Sequence, residues 1–140
     1  MLAVSEGTST VEGSDNGYNV LVGGTLFDSY ADHPRVVVQL NPTLKSTAAG
    51  RYQLLARYFD AYKAQLGLPD FGPDSQDQIA LQQIHERRAL PDIDAGLFGE
   101  AVRKCSNIWA SLPGAGYGQH ENKIDKLQVA YLNAGGTLAG

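Results

Sequence analysis

The sequence is short of the features that define several common classes of protein. It has a single cysteine, Cys105, so no internal disulfide can form, as is typical of chains made in a reducing compartment. It has no run of about 18 or more apolar residues, so no transmembrane helix is predicted. The opening "MLAV" lacks the basic start, apolar core and cleavage site of a signal peptide, so none is expected.

Charge and motif spacing exclude further classes. The formal net charge is −4, whereas nucleic-acid partners usually require a basic face, so no such partner is predicted. The three histidines and the cysteine lack metal-ligand spacing, and "HERR" at 85–88 has no second histidine to complete a zinc motif. The glycine-rich "GYGQ" and "GGT" do not continue into a phosphate loop, and no nucleophile elbow occurs. We therefore expect no metal and no cofactor.

The chain nevertheless has the composition of a folded domain. Of its 140 residues, 43% are hydrophobic, which is enough to bury a core and argues against disorder. No shift in composition divides the chain, so a single domain over residues 1–140 is predicted. Cys105 lies on an apolar helical stripe, and we interpret it as a core residue.

The first third of the sequence predicts irregular structure with short strands. Residues 8–17, "TSTVEGSDNG", form a polar loop with an Asn-Gly turn signal. "YNVLV" at 18–22 is predicted to be a strand that ends at Gly23-Gly24, and "RVVVQL" at 35–40 is predicted to be a second short strand.

The remainder predicts helices. A stripe of apolar residues within 49–68 predicts a helix that ends at Gly67, and the next helix is expected to be capped by Asp74 or Ser75. A third helix opens at Asp94 or Gly96 and carries Cys105. "SLPGAGYGQ" at 111–119 is predicted to be a loop, and a last helix ends at a glycine pair, 135–136. Together the elements predict a small α+β domain.

Three stretches carry residues suited to a chemical site. Glu6 in "SEGT" follows apolar residues, and partial desolvation there raises the pKa of a carboxyl group and makes it a usable general acid. "KSTAAGRYQLL" at 45–55 places Tyr52 and Gln53 at a helix entry, which suits the apolar face and hydroxyl edge of a sugar. "PGAGYGQ" holds Tyr117 between glycines. Together they predict a saccharide cleft, although singly the tyrosines are consistent with core packing and Glu6 with a frayed terminus.

These motifs belong to a pattern that runs from Met1 to Gly136. In order it comprises "MLA-SEGT", "VGG-LF", "DHPR", "LNP-LKST-AGRYQLL", "QLGL-DF", "ALQQI-ER-ALP-ID" and "CSNIWASLPGAGYGQ". In these segments the chain resembles the lambda endolysin family of bacteriophages, which are peptidoglycan lytic transglycosylases of the lysozyme superfamily.

The resemblance implies an α+β, lysozyme-like fold with a cleft between a small β-hairpin lobe and a larger helical lobe. It implies cleavage of the β-1,4 bond between N-acetylmuramic acid and N-acetylglucosamine, with Glu6 as the catalytic acid and base and a 1,6-anhydro end as product. Matched by motif, Gln53 and Tyr117 position the reacting sugar, and Tyr52 and Ser46 line the cleft. The apolar residues before Glu6 are then the last turns of a helix that holds the acid.

The sequence leaves the type of activity open. A hydrolytic muramidase would need a second carboxylate. The candidates lie in predicted loops, and we interpret them as solvated side chains: Glu12, Asp15, Asp28 and Asp32. A non-catalytic peptidoglycan-binding or virion protein is the alternative from another class, because a shortened N-terminus could remove activity and leave the cleft.

The chain differs from the family in two places, and the resemblance implies where the enzyme acts and with which partners. Family members begin about a dozen residues earlier, or about three helical turns, so the helix before Glu6 is expected to be short and truncated. The loop after Glu6 is also shorter and less basic than in the family. The implied partners are glycan strands of bacterial peptidoglycan and a holin, which would release the enzyme from the host cytoplasm to the periplasm and cell wall. No stable membrane association is expected.

Overall fold

The computed structural model describes residues 1–114 and 121–140, and its helices and small antiparallel sheet confirm the predicted α+β class. The elements in chain order are α1 (Leu2–Glu6), β1 (Val38–Asn41), β2 (Leu44–Ser46), α2 (Ala56–Leu66), α3 (Pro73–Glu86), α4 (Leu90–Asp94), α5 (Phe98–Cys105) and α6 (Ile124–Asn133). Within the described ranges, no helix is long and apolar enough to cross a bilayer.

The chain divides into two compact units. One comprises Met1–Glu6 and Ala80–Gly140 and is called the helical unit; the other comprises Gly7–Ile79 and is called the hairpin unit. The sheet lies entirely in the hairpin unit, and most of the helical residues lie in the helical unit.

The hairpin is shorter than the sequence predicted. β1 and β2 pair antiparallel, with Asn41 opposite Leu44, and the Asn41 side chain accepts the N–H of Thr43 at 2.9 Å, which stabilises the reversal. The predicted strand at 35–40 is right only in its second half. Arg35 has a left-handed backbone, with φ at 57°, and this conformation interrupts an extended run.

The strand predicted at 18–22 is wrong. Only Val20 and Leu21 form β pairs, and these are single bridges to Leu26 and Ala49. The N–H of Gly24 donates to the carbonyl of Leu21 at 2.9 Å and turns the chain back at once. Two paired residues do not make a strand, so this segment is irregular.

The core of the hairpin unit is aromatic. The rings of Phe59 and Phe71 meet edge to face with centroids 5.1 Å apart. The buried His33 ring lies 4.8 Å from Phe71, its Nε2 is 2.8 Å from the carbonyl of Leu54, and its Nδ1 accepts the N–H of Arg35 at 3.0 Å. These two bonds assign the neutral tautomer with hydrogen on Nε2. Burial lowers the pKa of His33, which favours this neutral form.

The helix predicted within 49–68 is confirmed, and Leu55, the first residue of its apolar stripe, is the cap before α2. Ala49 and Leu54 exchange both of their backbone hydrogen bonds, at 3.1 and 2.8 Å, and close a tight turn. α2 starts only after this turn, at Ala56. The predicted end is confirmed: Gly67 is left-handed, with φ at 65°, and its N–H donates to the carbonyl of Lys63.

The start of α3 differs from the predicted cap. The helix begins at Pro73, so neither Asp74 nor Ser75 is the cap. Proline suits the first helical position, because no N–H is needed there. Asp70 holds the turn before the helix: its Oδ1 accepts the N–H of Gly72 and the hydroxyl of Ser75, both at 2.9 Å.

The third predicted helix begins later than expected. α4 forms a separate short turn, so α5 begins at Phe98 and not at Asp94 or Gly96. The prediction for Cys105 is confirmed, because it is buried on α5 and burial raises the pKa of its thiol to about 11. α6 follows the predicted stripe, with Leu127 fully buried, and ends before the glycine pair.

Candidate active site

Glu6 is the last residue of α1, which confirms that the apolar opening forms a short helix ending at the acid. The N–H of Ser5 donates to the carbonyl of Met1 at 3.0 Å and closes one turn. Ala3 is only 1% exposed. Because a helix this short has little stability of its own, packing of its buried face is what holds Glu6 in place. The Glu6 side chain itself is half-buried.

Burial gives the carboxyl group of Glu6 an unusual pKa. Its removal from water raises the pKa from 4.5 to about 7, and a hydrogen bond from Ser111 acts in the opposite direction. The Ser111 hydroxyl donates to Glu6 Oε1 at 3.1 Å. A carboxyl group with a pKa near neutrality is protonated about half of the time at pH 7, so it can both give and take a proton.

Ser111 belongs to a hydrogen-bonded chain, called here the serine network, of Ser5, Ser111 and Asn122. The two serine hydroxyl oxygens lie 2.7 Å apart. Asn122 Nδ2 donates to the Ser5 carbonyl at 2.9 Å and reaches Ser5 Oγ at 3.3 Å. Lys126 Nζ donates to Asn122 Oδ1 at 3.2 Å. The network thus connects α6 to the carboxyl group of Glu6 within the helical unit.

The serine network was not predicted from the sequence. Ser5 precedes the acid in "SEGT" and Ser111 opens "SLPGAGYGQ", so both lie inside motifs that were recognised. The signal was missing because the two hydroxyl groups are 106 positions apart in the chain. Only the fold brings them into contact.

The described residues on either side of 115–120 are hydrogen-bonded to each other. The N–H of Asn122 donates to the carbonyl of Ser111 at 2.8 Å, and the N–H of Gly114 donates to Glu121 Oε1 at 3.0 Å. Tyr117 itself lies in 115–120, outside the described residues. Its predicted role in positioning the sugar therefore stays a prediction.

Tyr52 lies in the hairpin unit, in a polar cluster that the sequence did not reveal. Its hydroxyl donates to Asp77 Oδ1 at 2.7 Å, and the hydroxyl of Tyr18 donates to the same oxygen at 2.9 Å. The two rings meet edge to face, with centroids 6.5 Å apart. Burial, followed by the bond to Asp77, raises the pKa of Tyr52, so its hydroxyl stays a donor. Asp77 was missed because it lies on α3, far along the chain.

Gln53 and Ser46, also in the hairpin unit, hold turns of the backbone. Gln53 Nε2 donates to the carbonyls of Gly50 at 2.9 Å and Val20 at 3.2 Å. Ser46 Oγ accepts the N–H of Ala48 at 3.1 Å, at the end of β2. A hydroxyl that accepts can still donate, and an amide that donates through nitrogen can still accept through oxygen. Both side chains therefore retain groups that suit a sugar hydroxyl.

The candidate second carboxylates are exposed side chains of the hairpin unit. Asp32 forms an ion pair with Arg35 at 2.9 Å, and the hydrogen bond from that guanidinium lowers the pKa of Asp32. Asp15 accepts the hydroxyl of Tyr30 at 2.7 Å. Glu12 and Asp28 are also exposed. Within 1–114 and 121–140, no group of three His, Cys, Asp or Glu side chains is arranged to hold a metal ion.

Solved structures show which class of protein this α+β fold belongs to. The fold matches bacteriophage lambda lysozyme complexed with a chitohexasaccharide with a TM-score of 0.95 at 61% identity, over 98% of this chain and 90% of that one. A second structure of lysozyme from bacteriophage lambda matches with a TM-score of 0.90 at 60% identity, over the same shares of both chains. The predicted lysozyme-like fold is thereby confirmed.

Sequence comparisons assign the family. The family model described as Endolysin matches residues 1–138. The chain is 61% identical over 140 residues to the endolysin of Escherichia phage lambda, covering 99% of this chain and 89% of that protein. It is 49% identical over 150 residues to the endolysin of Escherichia phage P2, covering 99% and 91%. The chain therefore belongs to the Endolysin family, the lysozyme-type enzymes that lyse peptidoglycan.

Proposed function

We propose that this enzyme cleaves the β-1,4 bond between N-acetylmuramic acid and N-acetylglucosamine, with Glu6 as general acid and base, and leaves 1,6-anhydro ends. The observation that carries the proposal is the carboxyl group of Glu6, half-buried at the end of α1, with a pKa of about 7. The complex of the similar lambda lysozyme with a chitohexasaccharide supports a glycan chain as the substrate.

Bond cleavage begins with protonated Glu6. Its carboxyl proton passes to the glycosidic oxygen while the bond from that oxygen to C1 of the muramic acid breaks, and positive charge develops at C1 and the ring oxygen. General acid catalysis of this kind contributes about 10²–10⁴-fold to the rate. A pKa near neutrality keeps a large fraction of Glu6 in the required acidic form.

The second step uses the same carboxyl group as a base. The C6 hydroxyl of the muramic acid attacks C1 and gives its proton to the carboxylate of Glu6. The product is the 1,6-anhydro sugar, and the acid is regenerated without consumption of water. Because the nucleophile belongs to the substrate, proximity provides much of the acceleration, and a second carboxylate is not required.

The bonds that other carboxylates already make support the transglycosylase mechanism over hydrolysis. Asp32 is committed to an ion pair with Arg35, and Asp15 accepts the hydroxyl of Tyr30. A hydrolytic muramidase would need one of these groups, or the exposed Glu12 or Asp28, to activate water or attack C1. We keep hydrolysis, and simple glycan binding without catalysis, as outcomes of the test below.

We propose that Ser46, Tyr52, Gln53 and Tyr117 bind the substrate. Tyr52 is the best supported by its surroundings, because its bond to Asp77 fixes the position of its hydroxyl group. Gln53 would contact the sugar through its carbonyl oxygen, since its nitrogen holds the turn.

We also propose that positive charge in one segment attracts the anionic cell wall. This basic segment, residues 45–63, contains Lys45, Arg51, Arg57 and Lys63. Its one acidic residue is Asp60, which pairs with Arg35 at 2.6 Å. Because that carboxylate is occupied by a cation from outside the segment, it opposes the other four cations less.

The setting follows from the same proposal. The enzyme would be made in the host cytoplasm and would reach peptidoglycan in the periplasm only after a holin disrupts the membrane. The partner within the wall would be the glycan strand. One domain over residues 1–140 would supply both the acid and the residues that bind the sugar.

Mass spectrometry of purified peptidoglycan after digestion tests the reaction. The expected products carry 1,6-anhydro-muramic ends, which are lighter by one water than hydrolysis products. Reducing muramic ends would overturn the transglycosylase mechanism in favour of a hydrolytic muramidase. No released fragment from the folded protein would favour a binding module.

The matched control is Glu6→Gln, which keeps the shape of the side chain but cannot transfer a proton. Activity should fall about 10²–10⁴-fold while circular dichroism shows an unchanged fold. A folded variant with near-normal activity would refute the role of Glu6.

A further inference from the structure

The serine network has a direction that its donors and acceptors determine. Lys126 can only donate, so the Asn122 atom that faces it is Oδ1, and Nδ2 must point the other way. Asn122 Nδ2 indeed lies 2.9 Å from the carbonyl oxygen of Ser5 and 3.3 Å from that of Ser111, which accept its hydrogens. The orientation of this buried amide is therefore set by its neighbours.

The orientation of Asn122 determines where the hydrogens of the two serine hydroxyl groups point. Asn122 Nδ2 faces Ser5 Oγ and cannot accept from it, so the single hydrogen of Ser5 points to Ser111 Oγ, 2.7 Å away. Ser111 then has a filled acceptor site, and its own hydrogen points to Glu6 Oε1. Every hydrogen in the series is directed toward the carboxyl group.

We infer that Ser111, oriented by Ser5 and Asn122, is a positioning residue that keeps the transferable proton of Glu6 on Oε2. The oxygen that accepts from Ser111 is the poorer site for the acidic hydrogen, because a carbonyl oxygen accepts more strongly than a protonated one. The inference rests on the proposed role of Glu6 as acid and base. It adds which oxygen gives the proton and which side chains determine that choice.

The charged side chains near the serine network come from α1, from α6 and from the segment before α6. α1 carries no charged side chain besides Glu6. α6 contributes Lys126, which acts on the network through Asn122. The segment before α6 contributes Glu121, whose Oε1 accepts from Gly114 at the base of the loop. Among the described residues of the helical unit, Ser111 donates a hydroxyl hydrogen bond to the acid.

The pH dependence of activity tests the inference. The bond from Ser111 stabilises the carboxylate, so Ser111→Ala should raise the pKa of Glu6 and move the alkaline limb of kcat/KM up by about one pH unit. At pH 7, kcat/KM should fall about 10-fold, because the carboxyl group of Glu6 loses the hydrogen bond that holds it in one position. Ser111→Thr, which retains the hydroxyl, should restore the position of the limb.

Ser106→Ala is the matched control. Ser106 is buried in the same unit, but its hydroxyl donates to the carbonyl of Arg103 at 2.8 Å and takes no part in the network. Ser106→Ala should change the free energy of unfolding without moving the alkaline limb of kcat/KM. An unmoved limb in Ser111→Ala, or an equal displacement in Ser106→Ala, would overturn the inference.

A carbon-13 NMR titration of the Glu6 carboxyl group gives a readout that needs no activity. It should show a higher pKa in Ser111→Ala than in the wild type, and an unchanged value would contradict the inference even in an inactive protein. If Ser111→Ala does not fold, Ser111→Cys fills similar space with a weaker donor and should give a displacement of the same sign. Retained activity in Glu6→Gln would instead refute the proposed function, which the titration does not depend on.

Discussion

The desolvated carboxyl group of Glu6 should make Glu6→Gln more stable than the wild type at high pH. The folded state raises the pKa of Glu6 from 4.5 to about 7, so it binds the proton more tightly than the unfolded chain does. Stability from this group is therefore fully present below about pH 4.5 and is lost as the pH rises through about 7. Glutamine does not titrate, so the variant avoids that loss.

The size of the effect follows from linkage. At about 1.4 kcal/mol for each tenfold change in proton affinity, a rise in pKa from 4.5 to about 7 corresponds to about 3 kcal/mol. The free energy of unfolding of the variant, minus that of the wild type, should therefore increase by about 2 kcal/mol between pH 4 and pH 6 and by about 3 kcal/mol by pH 8. A change of about 3 kcal/mol in the free energy of unfolding corresponds to a change of about 10 °C in melting temperature.

Urea unfolding of both proteins at pH 4, 6 and 8 measures this difference. Other titrating groups are common to both chains and cancel, so only the pH-dependent part of the difference is interpreted. Glu12→Gln is a matched control, because it makes the same substitution at an exposed glutamate. A difference for Glu6→Gln that is constant from pH 4 to pH 8 would refute the burial of this carboxyl group.

Three further results are expected. The rate of lysis of whole peptidoglycan should fall as salt rises, because charges of the basic segment are screened beyond about 8 Å at physiological ionic strength; a turbidity assay across salt concentrations checks this. Asp77→Ala should lower the free energy of unfolding by about 1–3 kcal/mol, because two tyrosine hydroxyls lose their acceptor, and urea unfolding measures the loss. Gly50→Ala should cost more stability than Gly23→Ala: both positions have a left-handed backbone, but only at Gly50 would the added methyl group meet a packed side chain, that of Gln76. Equal melting temperatures for the two variants would contradict that packing.

Local sequence was sufficient to predict the elements whose stability comes from local contacts. The end of α2 at Gly67 is one, because a left-handed residue terminates a helix wherever it occurs. The placement of Glu6 at the end of a short helix was implied by the family resemblance, since the local sequence was also consistent with a frayed terminus. The lysozyme-like arrangement of the elements was predicted from the family resemblance and not from periodicity.

The predictions that were wrong concern residues whose conformation is set by distant partners. Arg35 interrupts the expected strand with its left-handed backbone, and its guanidinium binds Asp60, which lies 25 positions further along the chain. The contact between Ser111 and Glu6 joins residues 105 positions apart, and Asp77 reaches Tyr52 across 25 positions. No local pattern reports such contacts, because tertiary packing overrides intrinsic propensity.

The tautomer of His33 makes its contribution to stability depend on pH. Its Nδ1 accepts the N–H of Arg35 at 3.0 Å, so a second ring proton would set two donors against each other. Because burial lowers the pKa of His33 from 6.5, stability from this ring is present above about pH 6.5 and is lost as the pH falls toward the lowered value. Glu6, in the other unit, has the opposite dependence. Acidification therefore removes the stability that neutral His33 gives to the hairpin unit, while it relieves the cost of the buried charge on Glu6 in the helical unit.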